Sequence, residues 1–393
     1  MYPYLSDLIN DLLGTNIQLP MKTFGFFLAL AFIAAYLALR AELKRREGLG
    51  QFNLRTERVR TQGPMHIREV IIFALVWGLV GYKLGLMITE PEFFNSKTDE
   101  ALLSTKGFWL TGILGAVIAG GLKFRAYNQR KDLEEKFEEV QAGPSHYLGI
   151  IVTIAFVAGI GGSKLAAMLE PGSNFWVDPI GDLTSFNGLS FYGGLLLAGA
   201  LIVWYVHRKG FHILTAVDAF APALILAYAV GRIGCQLSGD GDWGIVNLEP
   251  QPDWMAWLPE WTWSFDYPNN VAAEGSIRIP GCEGPYCTRL DNPVYPTPIY
   301  ETIMGLGIFG VLWGIRKRLK YAGILTGIYL ILNGLERFFI EKIRVNGDYK
   351  ILGIDTTQAE FIATLLVIGG VAILVYAYRA KTVLRGQGPS PGE

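Results

Sequence analysis

Arg232 and Arg337 each stand inside a long apolar run. An ionised side chain costs several kcal/mol there unless it faces a partner or a cavity. Arg232 belongs to "AVGRIGCQLSGDGDWG" (229–244), which ends in glycines and two aspartates, Asp240 and Asp242. Arg337 belongs to "NGLERFFIEKIR" (333–344), where Glu341 and Arg344 follow it by one and two turns on the same helical face. Lys83 and Lys164 lie in further apolar runs, Tyr192 starts another, and Glu301 starts a sixth. A guanidinium grips a phosphate through two parallel N–H bonds. Arginines gathered at one depth of a bilayer would therefore suit an anionic lipid headgroup. The competing reading is that each long side chain reaches outward to water, and we adopt it for Lys83. Asp218 opens its apolar run, where a carboxylate suits a helix N-terminus, and is read as structural. Gly193 and Gly194 follow Tyr192, and Gly231 and Gly234 flank Arg232. Missing side chains admit a ligand or a neighbouring helix equally well.

The elements that must position these residues are membrane helices. The chain has 393 residues, 51% of them hydrophobic and only 18% charged, against about a quarter charged in a soluble domain. Several apolar runs reach the ~20 residues that cross a bilayer. The expected fold is an all-α, polytopic helix bundle with about nine spans, near 22–41, 69–90, 107–125, 147–169, 188–206, 215–237, 298–316, 322–343 and 358–378. The net charge of -1 gives no footing for a nucleic-acid partner. The first residues, "MYPYLSDLINDLLG", lack the basic-then-apolar pattern of a cleavable signal peptide, so insertion is expected to rely on the first span.

Basic residues select the orientation. "RAELKRREGLGQFNLRTERVR", "KFRAYNQRK", "HRKG", "RKRLK" and "YRAKTVLR" follow the odd-numbered spans, while "EPEFFNSKTDE", "EPGSNFWVDPIGD" and the long segment 238–297 follow even ones. The N-terminus is expected outside and the C-terminus in the cytoplasm. With a rise of ~1.5 Å per residue, Arg232, Arg337, Lys164, Lys83, Tyr192 and Glu301 all fall in the outer third of the bilayer. Segment 238–297 is rich in tryptophan, which suits a membrane interface, a packed loop or a lid. Within it "CEGPYC" places four residues between Cys282 and Cys287, a spacing that admits a disulfide on an oxidising side.

Two stretches repeat at about eighty residues. "ALVWGLVGYKLGLMITEPEFF" (74–94) matches "AFVAGIGGSKLAAMLEPGSNF" (155–175), and the spans after them correspond from Gly107 and Gly188. The first copy has Thr111 and Ile113 where the second has Tyr192 and Gly194, so the first is read as supportive. The organisation expected is a first span with a basic loop (1–62), an extra two-helix unit (63–143), a membrane core (144–380) and a tail (381–393).

The four motifs around these residues resemble those of bacterial prolipoprotein diacylglyceryl transferase. "GRIGCQLSGDGDWG", "SFYGGLLLAG", "YPTPIYE" (295–301) and "NGLERFFIEKIR" stand in that family's order, and the similarity covers the first span and roughly 145–380. The family has seven spans, and the hairpin at about 69–125 would supply the extra two. The resemblance implies transfer of a diacylglyceryl group from phosphatidylglycerol to the lipobox cysteine of a prolipoprotein, in the bacterial cytoplasmic (inner) membrane. The site would open toward the periplasmic leaflet, and no cofactor or metal is implied. Arg232, Arg337 and Tyr192 would act in catalysis. Gly193, Gly194, Lys164, Asp240, Gly244, Tyr300, Glu301, Asn333, Glu341 and Arg344 would bind substrate. Tyr192, Cys235, Asn333 and Phe24 depart from the family's histidine, asparagine, tyrosine and tyrosine. A tyrosine hydroxyl, with an ordinary pKa of ~10, is a poor general base but can donate to phosphate. The alternative reading is a non-catalytic, lipid-binding paralogue serving as a membrane subunit of an envelope complex.

Overall fold

A computed structural model describes residues 1–17, 19, 21–96, 101–102, 104–169, 179, 190–273, 275–345, 349–351 and 354–381. The connection 170–189 (apart from residue 179) and the tail 382–393 lie outside the described residues, and with them most of "EPGSNFWVDPIGD" and the end of the last basic cluster. Helices dominate, and one occupies each of the nine stretches expected from hydropathy. They are α2 (Thr23–Gly48), α3 (Ile67–Thr89), α5 (Trp109–Arg130), α6 (Leu148–Leu169), α7 (Phe191–Arg208), α8 (Ile213–Ser238), α9 (Thr297–Ile315), α10 (Ile324–Glu341) and α11 (Gln358–Ala380). Two short helices accompany them, α1 (Leu5–Leu13) and α4 (Pro91–Ser96). Six helices among the described residues, α2, α3, α6, α8, α9 and α11, are long and apolar enough to cross a membrane. Large apolar side chains such as Leu37, Ile118, Leu196 and Ile368 stay exposed along the helices, which suits lipid as the surrounding solvent. The chain is a multi-pass membrane protein.

Three short antiparallel ribbons were not expected from an all-α pattern. β1 (Arg55–Gln62) pairs with β2 (Lys136–Ala142), β3 (Ser276–Arg278) with β4 (Thr288–Leu290), and β5 (Tyr349–Ile351) with β6 (Ile354–Thr356). The basic connection after the first span is thus partly strand. Its "RTERVR" carries the period-two alternation that suits a ribbon.

The chain divides into two compact units. The first comprises residues 1–52 and 206–393. Its core is Ile225 of α8, Ile308 and Leu312 of α9 and Leu325 of α10. The helices approach closely where side chains are small. A Cβ on Gly327 would lie 3.0 Å from the Gly370 carbonyl, and one on Gly334 would lie 2.8 Å from that of Ala363. Helix directions alternate, as contacts at the two ends show. Phe24 and Phe27 at the start of α2 meet Gly234 at the end of α8. Arg46, near the end of α2, reaches the Thr215 carbonyl at the start of α8.

That second end holds a charge cluster. Glu42 is fully buried and accepts from Arg45 Nε (2.8 Å), Arg46 Nε (2.7 Å) and Arg316 Nε (3.1 Å). Asp218, 1% exposed, accepts from the backbone N–H groups of Gly323 and Thr326, both at 2.8 Å, and from the Thr326 hydroxyl at 2.7 Å. Its carboxylate therefore serves a helix N-terminus as expected of its type, but that of α10 and not of its own helix.

Between α8 and α9 the chain builds a small lobe on Tyr267, Leu290 and Val294, with Trp243 and Phe265 against them. Cys282 and Cys287 are joined by a disulfide, with Cα atoms 5.6 Å apart. The Tyr267 hydroxyl donates to Gln236 Oε1 at 2.7 Å and fixes the lobe to the last turn of α8.

The second unit, 53–205, contains β1, β2 and the helix pairs α3–α5 and α6–α7. The two pairs pack alike. Phe108 N–H donates to the Tyr82 carbonyl, and Ser190 N–H donates to the Ser163 carbonyl, each at 3.0 Å. A Cβ on Gly81 would sit 2.4 Å from the Thr111 carbonyl, and one on Gly162 would sit 2.5 Å from the Gly193 carbonyl. Lys83 does not reach for water. Its ammonium donates to the carbonyls of Ala101 (2.7 Å), Ser104 (2.6 Å) and Lys106 (2.9 Å), tying down the connection to α5.

Candidate active site

The site in the first unit forms where the end of α8, the start of α9 and the end of α10 meet. Glu301, in the first turns of α9 and fully buried, is its centre. Its Oε2 is paired with Arg232 Nε and accepts from the Tyr228 hydroxyl at 3.0 Å. Its Oε1 takes Arg344 Nη1 at 3.2 Å and lies 3.9 Å from Arg337 Nη1. Asp242 forms a second bridge, to Arg232 Nη1 through one oxygen and to Arg344 Nη2 at 2.7 Å through the other. Arg337 Nη2 pairs with Glu341 at 3.0 Å, one turn on. Glu341 also accepts from the Thr357 hydroxyl at 2.6 Å, and Thr357 caps α11.

Local geometry explains how these groups arrive. Gly239 ends α8 in a left-handed turn with φ 64°, which a side chain would strain. The Asp242 carbonyl accepts from the Thr297 hydroxyl at 2.8 Å, which holds Asp242 over the start of α9. Gly244 bridges to Arg344, and a Cβ there would lie 2.4 Å from the Ile343 carbonyl. Only a bare backbone lets Arg344 come in. Gly244 is thus a positioning residue. Tyr300 donates to the Thr262 carbonyl at 2.8 Å and anchors the outer lobe to α9. Asn333 is half-buried one turn before Arg337.

Several expectations change. The arginines are not a bare cationic layer but an ion-paired network, in which buried guanidiniums are charge-compensated by carboxylates. The most exposed of them, Arg337 at 19%, keeps a spare donor: its Nη1 has no hydrogen-bond partner among the described residues. The acid that bridges the arginines is Asp242, whereas Asp240 accepts from the Asp242 backbone N–H at 3.3 Å. Burial and the neighbouring Asp242 charge push the Asp240 carboxyl above its ordinary value. Burial would raise Asp242 too, but Arg232 and Arg344 outweigh it and hold that carboxyl down at about 2.

Cys235 is buried and unpaired, with Sγ 3.7 Å from Arg232 Nη1. The ligand atoms of Cys235, Asp240 and Asp242 lie within 4.8 Å of one another. Both Asp242 oxygens already serve guanidiniums, an environment that opposes a cation. Tyr228 and Glu336, absent from the motif reading, belong to the network: the Tyr228 hydroxyl is also 3.0 Å from Glu336 Oε1. Their signal in the sequence was only spacing, Tyr228 one turn before Arg232 and Glu336 beside Arg337.

The remaining expected residues lie in the second unit. Lys164 is 7% exposed in α6, at the position that Lys83 holds in α3. Tyr192, Gly193 and Gly194 form the first turn of α7. The two glycines are filled by α6 and not left open for lipid. A Cβ on Gly193 would meet Ala166 Cβ at 2.1 Å, and one on Gly194 would meet the Gly159 carbonyl at 2.6 Å.

The family model for prolipoprotein diacylglyceryl transferase matches residues 133–376, more than half of the chain, with all four motifs inside the match. The chain belongs to the prolipoprotein diacylglyceryl transferase family. It is a transferase. It is similar to proteins named phosphatidylglycerol–prolipoprotein diacylglyceryl transferase. The one from Burkholderia ambifaria is 22% identical over 315 residues, 76% of this chain and 99% of that relative. The one from Chlorobaculum tepidum is 26% identical over 273 residues, 65% of this chain and 79% of that relative. The family match in this transferase begins after α5 has ended, so α3 and α5 lie outside it.

The Asp242 bridge gives a pH prediction. A carboxyl held below its ordinary 3.8 stabilises the fold fully above that value and loses the contribution as pH falls toward about 2. The melting temperature of the purified transferase should drop over that window. Asp242→Asn should melt lower at neutral pH and show a smaller acid-induced drop. An identical acid profile in the variant would refute the assignment.

Proposed function

We propose that this transferase moves a diacylglyceryl group from phosphatidylglycerol to the lipobox cysteine thiol of a prolipoprotein, beside its signal-peptide region. The observation that carries the reading is the set of three arginines around Glu301, inside the family match. The acceptor sulfur forms a bond to the glyceryl carbon, the carbon–oxygen bond to phosphate breaks, and glycerol phosphate leaves with the electron pair. The thiol proton ends on the released phosphate. The protein supplies no nucleophile. Arg337, with its spare donor, together with Arg232 and Arg344 holds the phosphate and stabilises the charge that develops on it. Glu341 orients Arg337. Tyr192 is proposed as a hydrogen-bond donor and Lys164 as a further cation.

The protein is proposed to span the bacterial inner membrane nine times, with its N-terminus outside, its C-terminus in the cytoplasm and its site facing the periplasmic leaflet. The end-to-end alternation of α2, α8, α9 and α10 supports this arrangement. Residues 63–143 form the added hairpin and 144–380 the transferase core.

Complementation of a strain depleted of its own diacylglyceryl transferase tests the reading. The parent chain restores lipoprotein maturation, while Arg232→Ala and Arg337→Ala lose roughly 10²-fold or more of the activity, as expected when a donor to developing charge is removed. Tyr192→Phe alongside them reports whether its hydroxyl takes part. A well-expressed parent that fails to rescue sinks the transfer reaction and leaves the non-catalytic lipid-binding reading.

A further inference from the structure

Tyr228 has one hydroxyl proton but two carboxyl oxygens at 3.0 Å, Glu301 Oε2 and Glu336 Oε1. A phenol can donate to only one of them and must accept from the other, so one carboxyl carries its own proton. Glu301 faces three guanidiniums, Arg232 at Oε2 and Arg344 and Arg337 at Oε1. Glu336 is 4% exposed, and its Oε2 has no hydrogen-bond partner among the described residues. Its neighbour Arg337 directs Nη2 to Glu341 and Nη1 toward Glu301. An ionised Glu336 would be a buried charge without a partner, whereas a neutral carboxyl leaves only a carbonyl oxygen unmet. The charged and titratable groups around it are Tyr228 and Arg232 of α8, Glu301 of α9, and Tyr329 and Arg337 of its own helix. At Gly334 next to it, α11 presents the apolar Ala363, Leu366 and Val367.

We propose that Glu336 stores a proton that passes through Tyr228 to Glu301 when a phosphate group engages the arginines. The Glu336 O–H breaks and its proton joins the phenol oxygen. The phenol's own proton moves to Glu301 Oε2. Glu336 becomes a carboxylate, Glu301 a carboxylic acid, and Tyr228 is regenerated, with no proton gained or lost overall. Negative charge thereby shifts from the residue that holds all three arginines to one set behind Tyr228. Arg232, Arg337 and Arg344 are freed from Glu301 to donate to phosphate. This resolves how a network already neutralised by its own carboxylates admits an anionic headgroup. It rests on the lipid-phosphate reading above and makes Tyr228 and Glu336 positioning residues, since they act through Glu301.

Infrared difference spectroscopy on the full, detergent-purified chain tests the relay. The parent without lipid shows a protonated-carboxyl band that Glu336→Gln removes. Short-chain phosphatidylglycerol shifts the parent band, because the proton now sits on Glu301, and Tyr228→Phe abolishes that shift. Affinity for the lipid falls roughly tenfold in both variants, the worth of one hydrogen bond to a charged group. Inorganic phosphate is run in parallel. A shift with it locates recognition in the phosphate group alone, and a shift with the lipid only locates it in the intact headgroup; both support the relay. A band that persists in Glu336→Gln, or a parent band that no ligand moves, overturns it. Thermal unfolding of each variant separates these results from misfolding, and Tyr228→Phe reads the relay even where Glu336→Gln fails to fold. The spectrum needs no thiol acceptor. A ligand-dependent shift without turnover thus sinks the transferase reading alone, and turnover without the band sinks the relay alone.

Discussion

Glu301→Ala destabilises the protein by about 3–5 kcal/mol, the cost of breaking a buried ion pair from one side, and abolishes transfer. The side chain is fully buried and meets Arg232, Arg344, Arg337 and the Tyr228 hydroxyl. Its removal leaves Arg232 and Arg344 to share Asp242 and leaves Arg337 with Glu341 alone. Thermal unfolding in detergent measures the loss of stability. Glu301→Gln separates stability from function, because it keeps the side-chain volume and an acceptor for Tyr228 but not the charge. Stability still falls, while phosphatidylglycerol binds more tightly, since the arginines no longer have Glu301 as a competing anion. Weaker lipid binding in Glu301→Gln would show that the carboxylate belongs to the headgroup's own shell, contrary to the competition argued here.

The second large effect lies at the opposite ends of the same helices. Glu42→Ala leaves Arg46, itself fully buried, with Asp218 at 4.0 Å as its nearest carboxylate. Arg45 and Arg316 lose their common acceptor as well. The expected cost is again about 3–5 kcal/mol, but transfer per folded molecule is unchanged, because this cluster lies at the far end of α8 from Arg232. Equal loss of specific activity and stability in Glu42→Ala would mean that the two clusters are coupled. Asp218→Asn, which keeps an acceptor for the α10 N-terminus, should cost less than Glu42→Ala.

Much of this was legible in the sequence. Apolar run length placed a helix in each of nine stretches, and six of these among the described residues are long and apolar enough to cross a membrane. The motifs singled out Arg232, Arg337, Glu301, Glu341 and Arg344, which meet in one ion-paired network. The repeat at about eighty residues appears as two helix pairs with the same small-residue seam. The motif put the signature acid at Asp240, whereas Asp242 bridges the guanidiniums, because the fold of a glycine-rich turn decides which aspartate faces them.

Position along a helix follows from residue number, and the sequence by itself therefore determined where the long helices lie and how far along them the charged groups stand. Rotation about each axis and the choice of neighbour do not follow from residue number, and only the tertiary structure decided them. It filled Gly193 and Gly194 with α6, gave Lys83 three carbonyls, and turned Asp218 toward the N-terminus of α10. It also joined Tyr228 and Glu336 to Glu301, although Tyr228 is 73 positions from Glu301 and 108 from Glu336 along the chain. Ion pairing in an apolar medium is settled by which side chains share a few ångströms, and that is a property of packing.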